Sequence, residues 1–237
     1  MEYHYIKTEK NDFRFVLTLS RPEKRNAFTP TMVNEIAHAF GEANDDDTVK
    51  VVVFKAEGPV FCAGMDLKTF ENPETDIRNT NIENKDISLG EVFDTLTKPS
   101  IAIVEGDVIA GAFLIVLGCT YVFCKKEVRF RLPELELGIF PFQVMASLLK
   151  VLPEKKVLQL CLETGYFAAE RARELGIVDG YLDDVDVEAR IASFGTMDIQ
   201  ALQAGIRSLR VLPDVRRAER FAFLLHALED MKRPRRE

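Results

Sequence analysis

Three short segments carry the residue types that could do chemistry. Phe61-Cys-Ala-Gly-Met-Asp-Leu67 and Val104-Glu-Gly-Asp-Val-Ile-Ala-Gly-Ala112 each run from an apolar, strand-like stretch through a glycine turn into a helix-like pattern. Backbone N–H groups at such turns lack intrahelical acceptors and point outward. Two of them converging on one point would make a hole for an oxyanion. The third segment, Leu132-Pro-Glu-Leu-Glu-Leu-Gly138, offers Glu134 as a base in an otherwise apolar setting. Such a setting raises a carboxyl pKa and suits it to proton transfer near neutral pH. Together the segments point to reactions at a carbonyl whose oxygen gathers negative charge.

The elements that must position these residues follow from patterning. Residues 3–8 and 13–19 alternate apolar and polar around Asn11-Asp12 and predict a β-hairpin. Thr29-Pro30 predicts a helix start with the apolar stripe Met32, Val33, Ile36, Ala37 and Phe40, broken from Gly41 to Asp47. Strands are expected at 49–55, 100–104 and 121–124, and in part of 177–182. Helices are expected at 88–97, 111–118, 142–151, 154–163, 168–175, 186–210 and 214–231. Residues 71–87 are polar and predict a mobile surface loop, a lid over a ligand. Strands alternating with helices and then giving way to helices predict an α/β body over 1–185 and a helical region over 186–237.

Composition narrows the function classes. The net charge is −7, from 38 acidic and 31 basic residues, which argues against a general nucleic-acid binder. Cys62, Cys119, Cys124 and Cys161 show no paired spacing and three histidines are scattered, so no metal site is expected and reduced thiols in a cytoplasmic protein are the better reading. The start of the chain shows no signal pattern, and the longest apolar run, Val108 to Cys119, is too short for a membrane span. Lys232 to Arg236 reads as a basic tail.

Four motifs in register give the chain its resemblance. Arg21-Pro-Glu-Lys-Arg-Asn-Ala-Phe28 is close to RPxxxNAL and Phe61 to Leu67 to FxAGxDL. Lys98-Pro99 with Gly106 to Gly111 fits KPxIAxxxGxxxGGG, and Leu132 to Ile139 with Pro141 fits xPExxLGxxP. Over roughly residues 5–185 the chain resembles the crotonase superfamily, the enoyl-CoA hydratase/isomerase family. The resemblance implies a spiral of ββα turns, with terminal helices that mediate assembly into a trimer or hexamer. It implies an acyl-CoA thioester substrate, with coenzyme A as part of the substrate and no other cofactor. It makes the N–H groups of Met65 and Gly111 the oxyanion donors and Glu134 the catalytic acid–base. A side chain at Gly111 would then block the thioester oxygen. Lys24 and Arg25 become phosphate contacts, and the backbone around Ala27, Ala63, Asp66 and Leu67 the seat of adenine and pantetheine.

One departure decides between reactions. Where the hydratase pattern places a second glutamate, this chain has Leu114, which can neither accept a proton nor orient water. A single carboxylate suffices for a double-bond shift, and the isomerases of this superfamily resemble this arrangement. Phe140 and Phe142, with Gln143 and Met145, would form a bulky, dry pocket wall that favours isomerisation. Glu136 reads first as a partner in an ion pair; if 134–136 were extended it would share a face with Glu134 and could replace the missing acid. Glu105 and Asp107 are two further nearby acids. Hydratase, decarboxylase and hydrolase activities share the same oxyanion hole, and a non-catalytic acyl-CoA-binding or assembly protein is the reading from another class.

Overall fold

Asp12 adopts a left-handed φ of +55°, one of the few non-glycine residues to do so, and turns the chain between β1 (Ile6–Asn11) and β2 (Arg14–Leu19). The structure is a computed structural model, and it describes residues 1–232; the basic tail residues 233–236 lie outside the described residues. From β2 the chain enters α1 (Pro30–Asp45), where Thr29 caps the Met32 N–H and Pro30 occupies the first turn. The strands β3 (Val51–Ala56) and β4 (Val60–Cys62) follow, then α2 (Leu67–Glu71) and α3 (Leu89–Thr95). Next come β5 (Ser100–Val104), β6 (Asp107–Ile109), α4 (Phe113–Gly118), β7 (Tyr121–Cys124) and β8 (Arg129–Arg131). The remaining elements are α5 (Phe142–Leu148), α6 (Glu154–Leu162), β9 (Phe167–Ala168), α7 (Ala169–Glu174), β10 (Gly180–Tyr181), α8 (Val187–Ala192), α9 (Ile199–Val211) and α10 (Arg220–Lys232).

Two sheets result. The larger runs β1-β2-β3-β5-β7-β10, parallel except for the β1/β2 hairpin. The smaller runs β4-β6-β8-β9, parallel from β4 to β8. Helices α1, α3, α4 and α5 pack on them around Phe40, Phe54, Phe61 and Phe93, with Phe40 and Phe93 edge-to-face at 5.1 Å. Edge-to-face contact is a preferred arrangement of aromatic quadrupoles. A second cluster on the other face of the larger sheet joins Val51, Val53, Ile101 and Phe123 to Ile191 and Phe194 around α8.

Four expectations need correction. The break at Gly41 does not occur: Phe40 and Ala43 are fully buried on the same stripe, and that burial outweighs the roughly 1 kcal/mol that glycine costs a helix. Residues 71–87 do not stand free of the body as the expected lid would. Asn79 is fully buried and donates to Glu2 O and Glu35 Oε1, Asn34 holds both the N–H and the carbonyl of Lys85, and Asp76 accepts the Thr31 N–H. The loop is thus tied to α1. The single helix expected over 186–210 is two, α8 and α9, because Asp198 caps a new start at Ala201 after the Gly195 turn. The final helix begins at Arg220, after two short 3₁₀ turns, rather than at 214.

Candidate active site

Strands β4, β6 and β8 are parallel neighbours, so the segments leaving their C-terminal ends emerge along one edge of the small sheet. These are the three segments singled out by residue type. After β4, Gly64 turns at φ +86°. A Cβ there would lie 2.7 Å from the Ala110 Cβ and 3.1 Å from the Gly111 nitrogen, so only glycine fits. Phe28 clamps the next residue from behind: its N–H donates to Gly64 O at 2.8 Å and its carbonyl accepts from the Asp66 N–H at 2.9 Å. Met65 between them forms the bridge partner of Phe28, and its own N–H has no acceptor among the described residues. After β6, Ala110 turns at φ +53° and the Gly111 N–H likewise has no acceptor among the described residues. A Cβ at Gly111 would meet Phe28 Cζ at 2.9 Å and the Met65 nitrogen at 3.8 Å. The two free donors therefore stand side by side. The steric demand for glycine at 111 comes from the Phe28 ring, a partner that sequence reading did not name.

After β8, Glu134 opens a 3₁₀ turn, Glu134–Leu137, that Gly138 closes at φ +73°. Glu134 is 7% exposed and its Oε2 is buried without a hydrogen-bond partner. Burial raises its carboxyl pKa above the usual range, against a smaller opposing pull from its own backbone N–H. Cys161 sits near enough to feel that charge: burial lifts its thiol pKa and Glu134 lifts it further. Leu114, 3% exposed on α4, lines the same cavity.

The 3₁₀ geometry overturns the extended alternative for Glu136. Period three turns Glu136 away from Glu134 to solvent, where it pairs with Arg131 at 2.5 Å. Glu105 pairs with Lys125 and Asp107 with Arg129, each at 2.7 Å, and neither lines the cavity.

The cavity measures about 420 Å³, within the range of small-molecule sites. Met65, Gly111, Glu134, Leu114, Ala63, Leu67, Phe140 and Phe142 all line it. Phe140 and Phe142 meet as tilted rings with centroids 5.6 Å apart, but Phe142 is 68% exposed and forms part of the rim rather than a dry inner wall. Phe28, Phe70, Ile139 and Val144 add to the apolar lining and were not named as site residues from the sequence. No residue of 71–87 lines it.

Lys24 and Arg25 are exposed at the 3₁₀ turn Pro22–Lys24, outside the lining. The N–H groups of Ala27, Ala63 and Asp66 are already engaged, by Lys24 O, Arg25 O and Phe28 O. They are therefore not free donors for adenine or pantetheine. The Asp66 carboxylate caps α2 through the Lys68 and Thr69 N–H groups and pairs with Arg21 at 2.7 Å. Burial would raise its pKa, but Arg21 and the helix amides hold it below the ordinary value. Arg21 also donates to Ala27 O, and so ties the Arg21–Phe28 motif to the first oxyanion loop. Cys62 donates to Asn26 O in the same joint, and burial pushes its thiol up to about 12, which makes it unreactive.

Comparison with known proteins identifies the family. The enoyl-CoA hydratase/isomerase family model matches residues 10–210. The chain belongs to that family. Enoyl-CoA hydratase EchA19 of Mycobacterium tuberculosis is 26% identical over 216 residues, 87% of this chain and 81% of its own. The peroxisomal fatty acid beta-oxidation multifunctional protein of Oryza sativa subsp. japonica is 29% identical over 170 residues, and the match spans 23% of that protein. Among solved structures, enoyl-CoA hydratase from Mycobacterium tuberculosis H37Rv superposes with a TM-score of 0.82 at 26% identity, covering 96% of this chain and 90% of the other. An enoyl-CoA hydratase/isomerase from Mycobacterium paratuberculosis superposes at 0.81 with 23% identity, which shows the fold. The α/β body is therefore the crotonase-like spiral of ββα units with a helical C-terminal region, and the family acts on acyl-CoA thioesters.

Proposed function

We propose that this protein moves the double bond of a 3-enoyl-CoA to the 2-position through a thioester dienolate, with Glu134 as the one acid–base group. The observation that carries the reading is the presence of a single buried carboxylate in a cavity where Leu114 occupies the second acid's position. The thioester oxygen sits between the Met65 and Gly111 N–H groups. Glu134 Oε2 takes a proton from C2, the charge spreads onto the oxygen, and the same carboxylic acid returns the proton to C4. No atom is gained or lost. Each oxyanion donor contributes roughly 10²–10³ in rate and the base about 10²–10⁴. The raised pKa makes the ionised form of Glu134 a stronger base than an exposed glutamate.

Hydration is the second reading, favoured by the naming of relatives such as the Mycobacterium tuberculosis enoyl-CoA hydratase. It requires a water held by a second polar group, and Leu114 supplies none. Decarboxylase and hydrolase reactions would use the same donors, and acyl-CoA binding without turnover is the reading from another class. In the proposal Lys24 and Arg25 meet the phosphates of coenzyme A, while Ala63 and Leu67 flank the pantetheine. The C-terminal helices assemble copies into a trimer or hexamer: α10 has no buried residue, although Phe221, Leu225 and Leu228 are apolar. No helix among the described residues is long and apolar enough to cross a membrane, and a cytoplasmic location belongs to the same proposal.

The test supplies 3-enoyl-CoA and 2-enoyl-CoA separately to purified protein and identifies products by mass and absorbance. Conversion of the 3-enoyl ester with little hydration of the 2-enoyl ester is expected. Hydration at a comparable rate would overturn the single-base mechanism. Inertness toward both would favour binding without turnover or another thioester reaction.

A further inference from the structure

The peptide unit that joins Ala110 to Gly111 carries the Gly111 N–H. The dihedral angles of residue 110 therefore decide where that donor points. Ala110 sits at φ +53°, in the left-handed region that favours glycine and strains a residue with a Cβ. Such strain persists only where the surroundings over-determine it, and it clusters at functional sites. Here the surroundings are visible. The Ala110 methyl rests on the bare Cα of Gly64, as shown by the 2.7 Å that would separate it from a Cβ built there. Gly64 is held by Phe28 and directly precedes Met65, the other donor. Ala110 also lines the cavity itself. A right-handed or extended conformation at 110 would rotate the peptide unit and turn the Gly111 N–H away from Met65.

We propose that Ala110 is a positioning residue of the oxyanion hole: its left-handed backbone aims the Gly111 N–H into the cavity, and its methyl, wedged on Gly64, fixes the spacing of that donor from the Met65 N–H. The inference rests on the acyl-CoA reading above and deepens it. A glycine at 110 would accept the same φ without strain, so the variant folds. It would also open other backbone conformations and remove the wedge, so the donor pair would lose its fixed spacing.

The test compares the native protein with Ala110→Gly and Ala110→Ser; serine keeps the Cβ. The first readout is the ¹³C shift of the thioester carbonyl of hexanoyl-CoA labelled at C1, a saturated ester with no double bond to move. The second is kcat and KM with 3-enoyl-CoA, and the third is the melting temperature. Ala110→Gly is expected to melt higher, yet to lose much of the downfield carbonyl shift and about tenfold in kcat with KM nearly unchanged. Ala110→Ser is expected to retain both. A glycine variant with native carbonyl shift and native kcat overturns the proposal, because a purely structural role moves only the melting temperature. The native spectrum alone separates failure of the underlying reading: if hexanoyl-CoA shows no bound, shifted carbonyl there, the acyl-CoA assignment falls, and the role of Ala110 with it.

Discussion

Replacing Glu134 by glutamine keeps the volume of the side chain and removes its charge and its basicity. If the carboxylate is the sole proton carrier, kcat should fall by about 10²–10⁴, equivalent to about 2.7–5.4 kcal/mol of barrier at 1.36 kcal/mol per decade. Ester affinity should stay within about threefold, because the lost interaction belongs to the transition state. Stability should move the other way. The folded pKa lies above the unfolded one, so the native state binds more protons between the two. The stability owed to this group is complete below the ordinary carboxylate value and is lost as pH rises through the raised folded value. Glutamine does not titrate, so the variant should be the more stable protein above that window and lose its advantage below it. Two assays check both halves: exchange of the C2 hydrogen of an acyl-CoA in deuterated water, and urea unfolding at a series of pH values. Exchange within tenfold of native would remove Glu134 from the chemistry. A stability difference that does not vary with pH would mean that burial does not raise the pKa of this carboxyl.

Leu114→Glu should place a second acid in the cavity and make hydration of 2-enoyl-CoA measurable above the native background. The buried, unpaired carboxylate should cost about 3–5 kcal/mol of stability, readable as a lower urea midpoint. Asn79→Ala should cost about 1–3 kcal/mol through the bonds lost to Glu2 and Glu35, read by thermal unfolding, while leaving kcat unchanged because 71–87 does not line the cavity.

The oxyanion loops were legible because they make demands only certain residue types meet. Gly64 has a positive φ and no room for a Cβ, and both facts write themselves into the sequence as glycine. Glu134 was legible because a charge amid apolar neighbours calls for a purpose. The loop at 71–87 was not, since polar composition describes a solvated segment and a tethered one equally well. What distinguishes them is Glu35, a fully buried carboxylate on α1 that accepts from His4 N, Tyr5 N and Asn79 Nδ2. In sequence it is one more polar residue of an amphipathic helix. Glu136 makes the ion pair expected of it, and its extended alternative fails by period: two residues share a face in a strand, but the turn after Pro133 has a period of three. Phe28 escaped notice as a site residue because its contact to Gly111 spans more than eighty positions.

The parallel pairing of β4, β6 and β8 also governs the order of events as the chain folds. Each of these pairings joins strands distant in sequence, as Val60 with Asp107 and Val108 with Phe130, and neither can be reached by a tight hairpin. Contacts of such high sequence separation form late, after the helices and the β1/β2 hairpin have had their chance. The oxyanion loops and the Glu134 turn meet only when both crossovers have closed. A chain leaving the ribosome or a denaturant would thus regain its helical signal well before it could hold a thioester, and intermediates would be structured yet chemically silent.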